Sequence, residues 1–451
     1  MKGKHQKKLV LIATILGSGV VILDGTIVNL ALPKIGISLH VGLSAFQWIV
    51  DGYLLSLSSL ILLGGSLGDI LGRKKIYLTG LVGFGIFSLL CALAPSSTIL
   101  IITRIVQGAF GAMLVPGALS IINTNFPIAE RGKAIGAWTA GISIPVVAGP
   151  LVGGLILSIA SWRWIFLINV PLIAACFLLA LPSIKESKDN YPRKIDLAGA
   201  FLAAATLAAV TYGLIEGPAA HWTARPILSI VIGLIFAIAF VRYERKVKDP
   251  MVKLALFKSR NFLGANLMTL AMYGALGGLT FSLVIFLQTH IGYSSIKAGL
   301  SLLPVSITLF LFSSRVGRLA SKIGPRIFMT VGPILSGVGI ASFYFLRPGD
   351  SYIAHIFPGS LLFAAGMALT VSPLTTTVMT SISNDDSGIA SGINNAISRA
   401  AGLIVIAFLG LLGAANFFHV AVILCAGLAI ISGIISYSII VNHPLGNKLK
   451  V

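Results

Sequence analysis

The chain has 451 residues, 56% of them hydrophobic and only 10% charged, whereas about a quarter of an ordinary soluble domain is charged. Its mean hydropathy of +0.98 excludes a soluble globular protein. A net charge of +20 could suit nucleic acid, but the basic residues do not gather on a soluble face; they lie in short breaks between apolar runs, which excludes a nucleic-acid partner.

About 20 apolar residues cross a bilayer as one helix, and on that criterion the chain is a polytopic, all-α membrane protein. The basic stretch Met1 to Lys8 precedes an apolar run too long for a signal peptide and interrupted by Asp24, so it reads as a retained first span. Spans 1 to 7 are predicted at 9–31, 45–66, 76–94, 98–123, 134–158, 164–182 and 196–216. Spans 8 to 14 follow at 225–243, 261–288, 297–316, 326–346, 353–380, 388–413 and 417–441. Cys91, Cys176 and Cys425 fall singly inside apolar runs, with neither disulfide nor zinc spacing.

Fourteen spans put both termini on one side. That side receives 26 of the 33 Lys and Arg residues, the other receives five, and Arg104 and Arg399 lie inside spans. The positive-inside rule makes the basic side cytoplasmic, predicting a multi-pass protein of the cytoplasmic membrane whose basic loops meet anionic lipid.

The segment Gly65-Ser-Leu67-Gly-Asp69-Ile-Leu-Gly72-Arg73 recurs as Gly317-Arg-Leu319-Ala-Ser321-Lys-Ile-Gly324-Pro325. Glu130-Arg-Gly132 is echoed by Asp386-Ser-Gly388 at nearly the same offset. The echoes indicate duplication, and an even-helix repeat gives two like-oriented six-helix bundles, an arrangement suited to transport. The predicted domains are an N-terminal bundle over 1–182, an inserted hairpin with its flanking loops over 183–260, and a C-terminal bundle over 261–451. With the repeat present, a monomer suffices as the transport unit.

Charges inside a bilayer are costly and by default functional or paired. Asp24, Asp51 and Arg104 all fall at a similar depth below one membrane face. One guanidinium can hold one carboxylate ionised while a second takes up a proton. These three residues are therefore the expected proton or cation site; the bland reading is a fixed Asp24–Arg104 packing pair with Asp51 reaching the interface. Span 13 carries Arg399 near its middle beside Asn394 and Asn395, and no acid lies within any span of the second half. Arg399 either meets an anionic substrate group or bonds carbonyls and asparagines.

Four motifs in order then carry a resemblance: Leu23-Asp24-x-x-Ile27-Val28-Asn29-x-Ala31-Leu32-Pro33 in span 1, Gly65-x-Leu67-x-Asp69-x-x-Gly72-Arg73-Lys74 after span 2, Arg104-x-x-Gln107-Gly108 in span 4, and Gly141 with Gly149-Pro150-x-x-Gly153-Gly154 in span 5. The chain resembles the major facilitator superfamily, specifically its fourteen-helix drug:proton antiporters. The resemblance implies two six-helix bundles plus a two-helix insert, proton coupling at Asp24 and Arg104, and a cytoplasmic gate at Gly65, Asp69, Gly72, Arg73, Lys74 and Arg131. It also implies an exporter's bent fifth helix at Gly141, Pro145, Gly149, Pro150, Gly153 and Gly154.

Candidate cavity residues are Gln47, Trp48, Tyr53, Gln107, Asn123, Asn266, Met268, Met272, Tyr273 and Arg399. The histidines fall at span ends or in loops with no metal-ligand spacing, and no phosphate-binding Gly-x-x-x-x-Gly-Lys-Ser/Thr loop exists. An enzyme is therefore disfavoured, and an ion gradient, with no cofactor, is the expected energy source. The expected function is proton-coupled export of amphipathic small molecules by alternating access; uptake of a sugar or organic anion by symport and lipid flipping are the alternatives.

Overall fold

The structure, a computed structural model, describes residues 2–189, 195–382, 387–412 and 417–442. Within them the chain forms fourteen helices long and apolar enough to cross a membrane, and no strand. They are α1 (Lys2–Leu39), α2 (Leu43–Leu71), α3 (Arg73–Leu93), α4 (Ser97–Asn125), α5 (Ile128–Ile159), α6 (Trp164–Ser183), α7 (Leu197–Ala219) and α8 (Ala224–Glu244). The second half supplies α9 (Arg260–Thr289), α10 (Ser295–Ile323), α11 (Arg326–Phe345), α12 (Tyr352–Thr380), α13 (Ser387–Leu409) and α14 (Phe417–Ile439). All fourteen predicted spans are present. Asp386, part of one sequence echo, lies outside the described residues.

Side chains cap several starts where the first backbone N–H groups have no partner of their own. Ser96 accepts from the Ile99 amide, Asp196 from Gly199, Ser259 from Phe262 and Ser294 from Lys297. Two spans are interrupted. α6 breaks at Ile168, and α10 breaks at Leu302. In each case a proline follows, Pro171 or Pro304, which has no N–H to give the carbonyl four residues earlier the usual helical bond.

The chain divides into two units, Met1–Met251 and Val252–Val451. In the first unit α2 packs on α4, α1 on α5 and α6, and the α7–α8 hairpin on α2. The hairpin is fastened through Glu216 of α7, whose carboxylate accepts from the Trp48 indole N–H (2.7 Å) and the Ser44 hydroxyl (3.2 Å). Outward, α8 presents Ile227, Leu228, Leu234, Ile235 and Ile238, an apolar face suited to acyl chains. In the second unit α9 packs on α13 and α14, α11 on α12 and α14, and α10 on α12.

Candidate functional site

A buried polar network of the first unit is built around Asp24 of α1, which is 1% exposed. Arg104 of α4, also 1% exposed, donates from Nη1 to Asp24 Oδ2 at 2.5 Å. The other oxygen, Oδ1, accepts from Asn169 Nδ2 of α6 (2.9 Å) and Gln107 Nε2 of α4 (3.3 Å). Arg104 Nη1 also meets Gln107 Oε1 (2.7 Å), and its Nε reaches the carbonyl of Ile49 on α2 (3.2 Å).

The network spreads outward through neutral groups. Asn169 donates to the Ser88 hydroxyl of α3 (2.9 Å), which donates to the Phe166 carbonyl (2.9 Å). The Tyr53 ring lies 4.1 Å from the Arg104 guanidinium carbon, and its hydroxyl donates to the Val21 carbonyl (3.2 Å). Helices α1, α2, α3, α4 and α6 thus converge on one ion pair that is desolvated, hydrogen-bonded and covered by an aromatic face. A buried pair repays desolvation only with this kind of support.

Asp51 is fully buried as well, yet neither carboxylate oxygen makes a hydrogen bond. Of the two acids, Arg104 bonds to Asp24 and not to Asp51. The reason is helical geometry. Ile49 and Tyr53 face Arg104, and Asp51, two residues from each, is turned by about 200° at 3.6 residues per turn. Trp48, three residues earlier on α2, is the residue that holds the hairpin.

At the α2–α3 turn, Arg73 clamps Asp69, with Nη2 to Oδ1 at 2.7 Å and Nε to the same oxygen at 2.8 Å. Gly72 between the helices has φ +115°, a conformation open to glycine, and a Cβ there would lie 2.8 Å from the Glu186 carboxylate. Glu186 accepts from the amides of Lys74 (3.0 Å) and Lys75 (3.1 Å), while the Arg73 amide donates to the Ser187 carbonyl (2.9 Å). The chain leaving α6 therefore caps α3. Arg131 donates to the Phe126 carbonyl (3.1 Å) rather than joining the Asp69 cluster, and Gly65 lies against Pro116 of α4.

The second unit repeats the device with different chemistry. Gly324, at φ +97°, is covered by the side chain of Asn442, which accepts from the Arg326 amide (3.3 Å) and donates to the Ile323 carbonyl (3.3 Å). Glu186 follows Ser183, the end of α6, by three residues, and Asn442 follows Ile439, the end of α14, by three. The carboxylate position of the first copy is Ser321 here, bonded to the Arg318 carbonyl.

Helix α5 runs unbroken through Pro145 and Pro150 and lies against α1. A Cβ at Gly149 would meet the Thr26 hydroxyl at 2.4 Å, so the two helices approach too closely for any side chain there. Gly141 lies on Ile15 and Gly153 on Ile27, Pro145 lies against Gly19, and Gly154 is buried.

The remaining candidates separate. Gln47 is buried on α2, Trp48 holds the hairpin, and Tyr53 and Gln107 belong to the Asp24 network. Asn123 is exposed near the end of α4. Met268 and Met272 are fully buried, and Met268 accepts at its carbonyl from Ser432 of α14. Asn266 joins Asn394 (3.1 Å), which also reaches Thr269 (2.7 Å). Tyr273 is partly exposed and within electrostatic range of Arg399.

Sequence reasoning missed Asn169, Ser88, Glu186, Glu216 and Asn442. Asn169 had a signal, a polar residue two positions before Pro171 inside an apolar run; the others are polar residues of kinds common at such positions. Among the described residues no cluster of three metal-ligating side chains exists.

The family model of the Major Facilitator Superfamily matches residues 14–407. The multidrug resistance protein Stp of Mycobacterium tuberculosis is 35% identical over 404 residues, covering 89% of this chain and 75% of that protein. The methylenomycin A resistance protein of Streptomyces coelicolor is 33% identical over 441 residues, 96% and 92% of the two chains. A crystal structure of a POT family transporter in complex with 5-aminolevulinic acid superposes with a TM-score of 0.73 at 13% identity, covering 94% of each chain, a likeness of fold. With fourteen membrane-spanning helices and a family match across most of its length, the chain belongs to the major facilitator superfamily of membrane transporters.

Proposed function

We propose that the protein exports amphipathic small molecules across the cytoplasmic membrane in exchange for protons, by alternating access, with a single chain as the transport unit. The observation that carries this reading is the buried Asp24–Arg104 pair between α1 and α4, which side chains of α2 (Tyr53) and α6 (Asn169) reach. An ion pair at such a node is a two-position element: a proton on Asp24 cancels its attraction for Arg104, which keeps its bonds to the Ile49 carbonyl and Gln107 and leaves α1 free to shift against α4. Asp51, a second carboxyl group without a hydrogen bond, is the other group available for a proton.

The direction of transport is supported by the resistance and export proteins among the relatives, such as the tetracenomycin C resistance and export protein of Streptomyces glaucescens. The excess of basic residues on the side of the termini supports a cytoplasmic location for both. On that side the Asp69–Arg73 clamp with its Glu186 cap serves as the gate.

The test is transport in proteoliposomes under an imposed pH gradient, read with a fluorescent amphiphile. Wild type accumulates the amphiphile against its concentration gradient. Asp24→Asn loses gradient-driven transport while still exchanging the amphiphile at equilibrium, and Asp51→Asn loses part of it. Full coupling in both variants, or movement of amphiphile and protons in the same direction, would overturn the proposal.

A further inference from the structure

Among the described residues of the second unit, Arg399 is a charged side chain near the middle of a span. The unit's three acids, Asp350, Asp385 and Asp386, all lie between spans. Arg399 is the thirteenth of the 23 residues of α13, about 18 Å along the helix from its start at 1.5 Å per residue. A guanidinium carries five N–H donors and keeps its charge at any physiological pH. At such depth it is expected to face a carboxylate, backbone carbonyls or water.

Arg399 has no hydrogen bond or ion pair to any described residue, and it is partly exposed rather than sealed. The oxygens that could satisfy it internally do not: the Asn394 and Asn395 side chains bond through their N–H groups, and neither side-chain oxygen accepts from Arg399. Asn394 donates to Asn266 and Thr269, and Asn395, one turn away on the same face, donates to the Ser391 carbonyl (3.1 Å). The structure therefore disfavours the internal-packing reading of Arg399.

Tyr273 of α9 lies within electrostatic range of Arg399, next to Gly274, which packs against Ala401 and Val405 of α13; it is partly exposed, and its hydroxyl likewise makes no hydrogen bond to a described residue. The contrast with the first unit is direct: Arg104 carries the same group but is covered to 1% exposure and bonded to Asp24, Gln107 and a carbonyl.

We propose that Arg399, with the Tyr273 hydroxyl, recognises an anionic group on the transported molecule, so that the substrates are apolar bodies bearing a carboxylate or an isostere of it. The planar guanidinium matches a carboxylate with two parallel N–H bonds, and the phenol adds a third donor. This deepens the export reading and rests on it only for the word substrate.

The experiment measures equilibrium binding of a dansylated long-chain carboxylic acid and its methyl ester to the purified full chain in lipid nanodiscs, by dansyl fluorescence. The two probes share size and apolar surface and differ in charge. Wild type binds the acid at least about tenfold more tightly than the ester, the range expected for a charge-assisted pair. Arg399→Gln loses that preference with ester binding unchanged, Arg399→Lys keeps part of it, and Tyr273→Phe weakens the acid a few fold. Equal binding of acid and ester by wild type, binding of neither, or an intact preference in Arg399→Gln would overturn the proposal. The same probes in proteoliposomes separate the two readings: gradient-driven movement of both without preference keeps export and removes the role of Arg399. A charge preference in binding without gradient-driven movement does the reverse.

Discussion

At the scale of single residues, the Asp24–Arg104 pair is a liability that its surroundings convert into a defined element. Removing one partner strands the other charge in a dry interior, at a cost of about 3–5 kcal/mol. Arg104→Ala is therefore expected to lower the thermal midpoint in detergent strongly, and the double variant Asp24→Asn/Arg104→Gln to recover part of the loss, both checked by fluorescence-monitored melting. The pair was legible in the sequence because a charge inside an apolar run stands out. Its neutral partners Asn169 and Ser88 were not, since Ser and Asn recur along the spans and only the fold selects two of them. The position of Asp51 was half legible: its depth follows from counting residues, its direction from which side of α2 meets α4, and no count supplies that.

At the scale of elements, the turn at Gly72 shows how a remote residue finishes a helix. Three amides at the start of α3 are satisfied by Glu186 and Ser187, residues more than a hundred positions away. Loss of a capping group costs about 0.5–2 kcal/mol. Glu186→Ala should lower stability by that amount and speed proteolysis at the α2–α3 turn, while Gly72→Ala should be worse, because it adds strain at positive φ to a clash with the carboxylate. Limited proteolysis with mass mapping checks both. The spans themselves were readable from hydropathy in number and order, while α1, α5 and α10 run six to eight residues beyond a predicted end because their polar ends stay helical. The breaks at Ile168 and Leu302 were not placed, because hydropathy averages over a proline that interrupts hydrogen bonding without changing polarity.

At the scale of the whole molecule, the charge distribution is lopsided in two ways. The basic residues crowd the loops on one side, and such loops attract anionic headgroups, by about 1 kcal/mol for each Lys or Arg near the surface. The thermal midpoint in nanodiscs containing phosphatidylglycerol should exceed that in phosphatidylcholine by several degrees, with the difference shrinking as salt is raised; identical midpoints would contradict this. The second asymmetry is internal: one half buries an acid with its arginine, and the other carries an arginine alone. The duplication was visible in the sequence through the Gly65 and Gly317 segments. The matching caps were invisible, because Glu186 and Asn442 share neither charge nor surrounding sequence and correspond only in where they land.

Those caps also bear on how the protein is made. Each is supplied by chain that follows its bundle's last helix, and each fastens a turn synthesised far earlier. A ribosome must therefore finish the sixth helix of a bundle, and a few residues more, before the turn behind its second helix can be locked. Until that stretch of chain has emerged, the turns at Gly72 and Gly324 lack the side chains that close them.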